Sequence, residues 1–459
     1  MNQPLLNLST QEAVIIASII VALMGVMMIG LGFTPHLALI VVLCVLFAFG
    51  KFKGLDFEVL QQHMANGVMS GIGAVYLFFF IGLLVVSLMT AGTIPTLMYY
   101  GFEIISPNLF YLSTFILTSI IGIALGSSLT TCATVGVAFM GMATAFGANP
   151  AIVAGAVVSG AFFGDKMSPL SDTGTIASSV VGIDLFTHIK NMMYTTLPAW
   201  LLSAGIFYAL SSALHQANLA NIEQMQQLLI NSQLVHLSAF LPIVVLIGLI
   251  VLRVNAIYTI ILSILVAIII TYSHSSPTIQ DMGSYFFAGF KAPQELGVVA
   301  DLLSRGGLES MFFSLAIVML ALSLGGLLQA LGILPALLNA MKHLLTKPSR
   351  AITATAFTGL GINILIGEQY LSLLLSGHTF RELFAKFGLH PKNLSRTLED
   401  AGTVINPLVP WSVCGVFISQ VLNVSVLSYL PYAFFCYFCF LLTLIFGITG
   451  FTISKIDEK

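Results

Sequence analysis

Charge is what this chain has least of. Asp, Glu, Lys and Arg make up 7% of its 459 residues, against about 25% in soluble domains, and that shortage excludes an ordinary water-soluble globule. The 16 basic and 18 acidic residues leave a formal net charge of −2, without the basic surplus on which nucleic-acid binding draws. Cysteine is sparse as well: Cys44, Cys132, Cys414, Cys436 and Cys439 all sit in or beside apolar runs. The CxxC spacing of "CYFC" at 436–439 lacks the strand context of a redox motif, so neither a disulfide framework nor a zinc site is expected. Histidines are scattered singly and no nucleophile–base constellation is in register, which argues against an enzyme and leaves no cofactor to be expected. The opening "MNQPLLNLSTQEAV" has neither the basic region nor the small-residue cleavage site of a secretory signal, so the first apolar run is expected to be kept as a helix.

What the chain has instead is hydrocarbon, with 58% hydrophobic residues and a mean hydropathy of +1.02. Apolar runs near 13–33, 72–90, 109–125, 192–213, 236–252, 255–272, 311–331 and 430–450 are each long enough for a helix through a ~30 Å hydrocarbon core. Shorter runs near 35–50, 130–146, 150–164, 351–366 and 401–422 add partial or full crossings, for about twelve spans in all. The chain therefore reads as an all-α polytopic membrane protein whose first partner is the lipid bilayer.

The sequence also repeats. Shifted by 241 residues, "GSSLTTCATVG" (126–136) falls on "GEQYLSLLLSG" (367–377), and "AFGANP" (145–150) falls on "KFGLHP" (386–391). A further slip of three lays "SPL" (168–170) on "NPL" (406–408). The order of these matches implies two related transmembrane repeats, residues 1–225 and 226–459, joined through the polar segment "HQANLANIEQMQQLLINSQ" (215–233). Lys51 and Lys53 precede the run 72–90, whereas Lys342, Lys347 and Arg350 follow its counterpart 313–331, although Lys291 and Arg305 precede it among acidic residues. With Lys and Arg on the cytoplasmic side, equivalent helices cross in opposite directions, the inverted repeat that recurs in secondary transporters.

Two stretches break the apolar pattern. In "GAFFGDKMSPLSDTG" (160–174) Pro169 ends a helix, because it has no N–H and clashes with the preceding turn, and Ser171, Asp172 and Thr173 resemble a fresh helix start. The partner "EDAGTVINPLVPWS" (399–412) repeats the design with Pro407 and Pro410 and adds Glu399, Asp400, Thr403 and Asn406. Helix breaks are tolerated in lipid only where freed backbone groups find protein or line a cavity, and breaks at matching places in two halves point to a transport site near the midplane.

Asp165, Ser168 and Asp172 stand three and four apart, so on one helix they share a face. Oxygens gathered in this way suit Na⁺, and a carboxylate in a low-dielectric cavity holds either a proton or a cation. Asp165 and Asp172 are thus the expected Na⁺ ligands, with capping as the alternative for Asp172. Lys166 either pairs with one of them or reaches the interface. Glu368 and Gln369 fall inside the second-half run and are candidates on the same ground, whereas Glu399, beside the basic run "RELFAKFGLHPKNLSR", is read as an interface salt bridge. Trp411 either walls off an organic molecule or packs. Half-helix N-termini at Asp172 and near Trp411 are placed to face a solute carboxylate. His188 and His378 read as surface or capping residues, with pH sensing as the alternative. Ala156, Gly160 and Gly164, four apart, allow close helix approach.

"GDKMSPLSDT" followed by "VVGIDLFTHIKNMMYTTLP", together with "LEDAGTVINPLVPW", resembles the NhaC family of bacterial Na⁺/H⁺ antiporters within a wider superfamily of elevator-type carriers, over residues from about 60 to 450. The resemblance implies a multi-pass carrier of the bacterial inner membrane, built of two inverted repeats with broken helices or hairpins and driven by a Na⁺ or H⁺ gradient. It matches Asp165, Ser168, Asp172 and Thr173 to the first signature and Asp400, Thr403 and Pro407 to the second. One departure is Thr173-Gly174-Thr175, where the family commonly has Thr-Thr-Asn. Na⁺(Li⁺)/H⁺ antiport is the leading expectation, with Asp400 in support and Na⁺ as transported or coupling ion. The alternative is a Na⁺- or H⁺-coupled carrier of a small organic solute, a hydroxy acid of the malate or lactate type or an amino acid. A homodimer is a candidate assembly.

Overall fold

The computed structural model describes residues 4–212, 219–343 and 347–456. Among them, regular structure is helical apart from one isolated bridge between Leu389 and Lys455. Eight helices are long and apolar enough to cross a membrane, and up to twelve spans result if each of four bent helix pairs counts as one, in line with the expected twelve. Two of the bent pairs are the stretches that break the apolar pattern: Pro150–Met167 with Asp172–Val181, bent by 47°, and Pro391–Leu408 with Val413–Leu422, bent by 46°. Their first members are called the broken helices below and their second members the half-helices.

The elements around these breaks recur at a constant offset of 241. A lead helix Phe110–Leu125 ends at Gly126 in the left-handed conformation (φ 62°), and its counterpart Pro348–Ile366 ends at Gly367 (φ 77°). Ser127 then caps the return helix Ser128–Ala145, as Glu368 caps Gln369–Lys386. Asn149 and His390 cap the two broken helices, each with proline in the first turn. Ser171 and Ser412 cap the two half-helices, which close at Gly182 and Asn423, both left-handed. The offset never changes, so Pro169 lies opposite Pro410 and Asp165 opposite Asn406. The three-residue slip drawn from "SPL" and "NPL" is corrected: two similar tripeptides matched out of register, whereas the caps, which set the backbone path, stay in it.

The polar join forms a helix, Leu219–Asn231, followed by a turn; the helix buries Ile222, Met225 and Leu229, and residues 213–218 lie outside the described residues. A boundary at 225/226 falls inside this helix.

Small residues set how close the site's helices come. The first lead helix and the first broken helix touch at Gly122 and Gly164, where a Cβ added to Gly164 would fall 2.4 Å from Gly122 Cα. Added to Gly160 it would fall 2.6 Å from the Phe115 carbonyl oxygen. Backbone-to-backbone packing of this kind replaces the hydrophobic drive that lipid cannot supply.

Candidate functional site

The first broken helix stops at Met167, because Ser168 is extended (φ −80°, ψ 132°) and Pro169 has no N–H to continue the ladder. The chain restarts when the Ser171 hydroxyl accepts the Gly174 amide at 3.3 Å. Asp165 stands in the last turn before this break and is buried. Its carboxylate accepts the Ser128 amide at 3.2 Å, the Ser128 hydroxyl at 2.7 Å and the Ser171 hydroxyl at 2.6 Å. The return helix thus presents its N-terminus to an acidic side chain, where the helix field favours negative charge.

Asp172 lies on the other side of the break. It accepts its neighbour Thr173's amide at 2.8 Å and the Tyr370 hydroxyl, from the second return helix, at 2.5 Å. It also faces a cavity of about 910 Å³ lined by Ser127, Thr130, Pro169, Thr175 and Arg253 among others. The expectation that Asp165, Ser168 and Asp172 share one helical face is corrected, since the helix ends between them. Ser168 instead accepts the Leu170 amide at 3.2 Å. The Ser171 hydroxyl donates to Asp165 and lies 3.0 Å from the Thr173 hydroxyl, while Asp172 accepts the Thr173 backbone amide.

At the second break Asn406 occupies the place of Asp165. Its side-chain oxygen accepts the Cys414 amide at 3.0 Å, and its amide donates to Asn363 Oδ1 at 2.7 Å. The Ser412 hydroxyl caps Gly415 at 2.9 Å and donates to the Asn406 carbonyl at 2.5 Å. Pro407 stands in the 3₁₀ turn Asn406–Leu408 that ends the broken helix and offers its carbonyl to Tyr429 at 2.5 Å. Glu368 is buried and caps its helix by accepting the Leu371 amide at 2.7 Å. Of the two readings of Trp411 the surroundings favour packing: its ring belongs to an apolar cluster with Leu328 and Ile366, and its N–H is tied to the Ile364 carbonyl at 2.7 Å.

Ion pairing differs most from the sequence reading. Lys166 reaches neither Asp165 nor Asp172; its ammonium pairs with Asp400, 234 residues away, with both side chains fully buried. Asp400 also accepts the Thr443 hydroxyl. Glu399 is no interface salt bridge: it is fully buried, and neither of its oxygens has a hydrogen-bond partner. Thr403 is buried too, with an unpartnered hydroxyl. His188 is buried rather than on the surface, with Nδ1 2.8 Å from the Ser395 hydroxyl, while His378 is exposed. Among the described residues the fully or nearly fully buried carboxylates are Asp165, Glu368, Glu399 and Asp400, against the buried cations Lys166 and Arg396. The buried acidic side chains thus outnumber the buried basic ones by two, and ionisable groups held inside a membrane protein in this way mark ion pathways.

Comparison with known proteins gives this charge pattern its setting. A family model described as the Na⁺/H⁺ antiporter family matches residues 160–451, a range that takes in Asp165 and both half-helices. The Na⁺/H⁺ antiporter NhaC of Alkalihalophilus pseudofirmus is 37% identical over 98% of this chain and 96% of its own length. The NhaC protein of Bacillus subtilis is 36% identical over 86% of this chain and 88% of its own. A malate-2H⁺/Na⁺-lactate antiporter of Bacillus subtilis is 31% identical over 96% and 94%. The similarity runs through both breaks and nearly end to end: this chain, a multi-pass bacterial membrane protein, belongs to the Na⁺/H⁺ antiporter family.

Proposed function

We propose that the protein is a secondary active transporter that moves Na⁺, and Li⁺ with it, against H⁺ through the carboxylates at the first helix break. The observation that carries this is the surplus of buried acidic side chains over buried cations around the first break, which the Tyr370–Asp172 hydrogen bond ties to the second return helix. Asp165 and Asp172 supply the carboxylate oxygens for the ion, with the Ser128, Ser171 and Thr173 hydroxyls around them. Asp165 is buried while Asp172 is exposed toward the cavity; either cation neutralises Asp165, and exchange follows because a buried carboxylate held neutral in low dielectric releases one cation only when it takes another. Na⁺ is cargo in this reading, no resident cofactor is needed, and the chain is a carrier rather than an enzyme. The constant offset of 241 supports two repeats, and the charge placement of the sequence supports their inversion.

Na⁺-dependent proton movement in proteoliposomes tests the reading. Asp165→Asn and Asp172→Asn should each abolish it, and intact movement in both moves the site elsewhere.

The cavity beside Asp172 supports a second reading. At about 910 Å³, with Arg253 also in its wall, it is far larger than one Na⁺ requires, and it suits a small organic ion carried with the cation. Saturable uptake of radiolabelled malate, lactate or an amino acid, driven by a Na⁺ or H⁺ gradient, supports this reading.

A further inference from the structure

The second broken helix contains a single wide turn, Glu399–Thr403, with π-helical hydrogen bonding, the kind of local irregularity that recurs at functional positions. Both ends of this turn carry buried oxygens that make no close hydrogen bond, the two carboxylate oxygens of Glu399 and the hydroxyl of Thr403, and the donors nearest to Glu399 are the hydroxyls of Thr403 and Thr173. An uncompensated buried carboxylate is among the costliest groups a fold can hold. No side chain nearby neutralises it. Lys166, the cation facing it from the first broken helix, is committed to Asp400. Asp165 faces it from that same helix with like charge. Arg396 and Asp400 flank it on its own helix, and Cys439 faces it from Phe434–Thr449. The half-helix Asp172–Val181 and the helix Gln369–Lys386 also pack on this turn, and their Asp172 and Tyr370 are engaged with each other. The lead helix Pro348–Ile366 packs there too, and its one titratable residue, Arg350, stands in its first turn.

We propose that Glu399 and Thr403 form a second binding site for a monovalent cation, H⁺ or Na⁺, distinct from the one at Asp165 and Asp172. The Thr173 hydroxyl lies beside Glu399, 3.0 Å from the Ser171 hydroxyl, which donates to Asp165 at 2.6 Å. This run of hydroxyls joins the two sites, so that filling one changes the field at the other. The inference rests on the antiport reading and adds to it a second cation per chain.

Equilibrium ²²Na⁺ binding and proton release on Na⁺ addition, measured on purified full-length wild type and Glu399→Gln, decide the matter. If Na⁺ fills the site, the variant binds about one Na⁺ fewer per chain. If a proton fills it, Na⁺ binding is kept and about one proton fewer is released. Either result supports the site and names its occupant. A variant matching the wild type in both measurements overturns the inference alone. A wild type that neither binds Na⁺ nor releases protons overturns the antiport reading with it. If Glu399→Gln does not fold, Thr403→Val decides: a shift of about ten-fold in half-saturation, the scale of a charge-assisted hydrogen bond, supports the site, and an unshifted curve overturns it.

Discussion

Asp165 and Asn406 hold the same position in two copies of one backbone pattern, each six residues before the serine that caps the following half-helix. The Ser171 hydroxyl donates to the Asp165 carboxylate, and the Ser412 hydroxyl donates to the Asn406 backbone carbonyl. One break therefore carries a negative charge and the other a neutral amide whose donor and acceptor are both used.

Placing a second carboxylate at the neutral break has a definite cost. Asn406 donates to Asn363 Oδ1 from a fully buried site; in Asn406→Asp the ionised side chain has no N–H and sets oxygen against oxygen. A loss of about 1–3 kcal/mol of stability is expected. A fall in the detergent melting temperature at neutral pH measures it, and the fall should shrink on acidification, which restores a donor.

The Lys166–Asp400 pair is expected to be structural. Removing one partner leaves the other charge buried alone, so Lys166→Met or Asp400→Leu should each cost about 3–5 kcal/mol. The double variant Lys166→Met/Asp400→Leu should regain most of that loss. Thermal unfolding of the three variants closes the cycle, and additive losses would show that the ion pair is not the coupling.

Tyr370→Phe keeps the ring and removes the hydroxyl that ties Asp172 to the other half. Losing one charge-assisted hydrogen bond should shift the apparent Na⁺ affinity by roughly ten-fold while expression and melting temperature stay close to wild type. A Na⁺ titration of transport in everted vesicles reads this out. An unchanged half-saturation concentration removes Tyr370 from the site.

Gly164→Ala adds one methyl group where 2.4 Å separates its position from Gly122 Cα. Backbone on both sides cannot yield, so the helices must part and carry Asp165, one residue on, away from Ser128. Loss of transport and a lower melting temperature are expected together. Gly205→Ala, with nothing within 4 Å, is the matched control and should leave both unchanged.

Much of this was legible in the sequence, and for definable reasons. Asp165 and Asp172 stood out because a carboxylate in an apolar run has few structural excuses, and Pro169 fixed the break. The lead and return helices were legible through their paired glycines, Gly126 and Gly367. Ser128, Tyr370 and Thr443 carried no local signal, since their importance comes from bonds made across tertiary distances. For Lys166 the local sequence offers only its neighbours or the interface, whereas its partner lies 234 residues away. Glu399 was misread because the basic run before it suggested solvent, whereas Asn393 to Leu398 are buried. The register of the repeat could have been held by following Ser171 to Ser412 in place of the tripeptide match.

The unvarying spacing between the two copies makes the molecule its own reference. Any side chain altered along one copy has a twin on the same backbone path, made in the same cell and read in the same assay. Pairs such as Ser171 and Ser412 can thus be exchanged one at a time, separating what the scaffold demands from what the cargo demands.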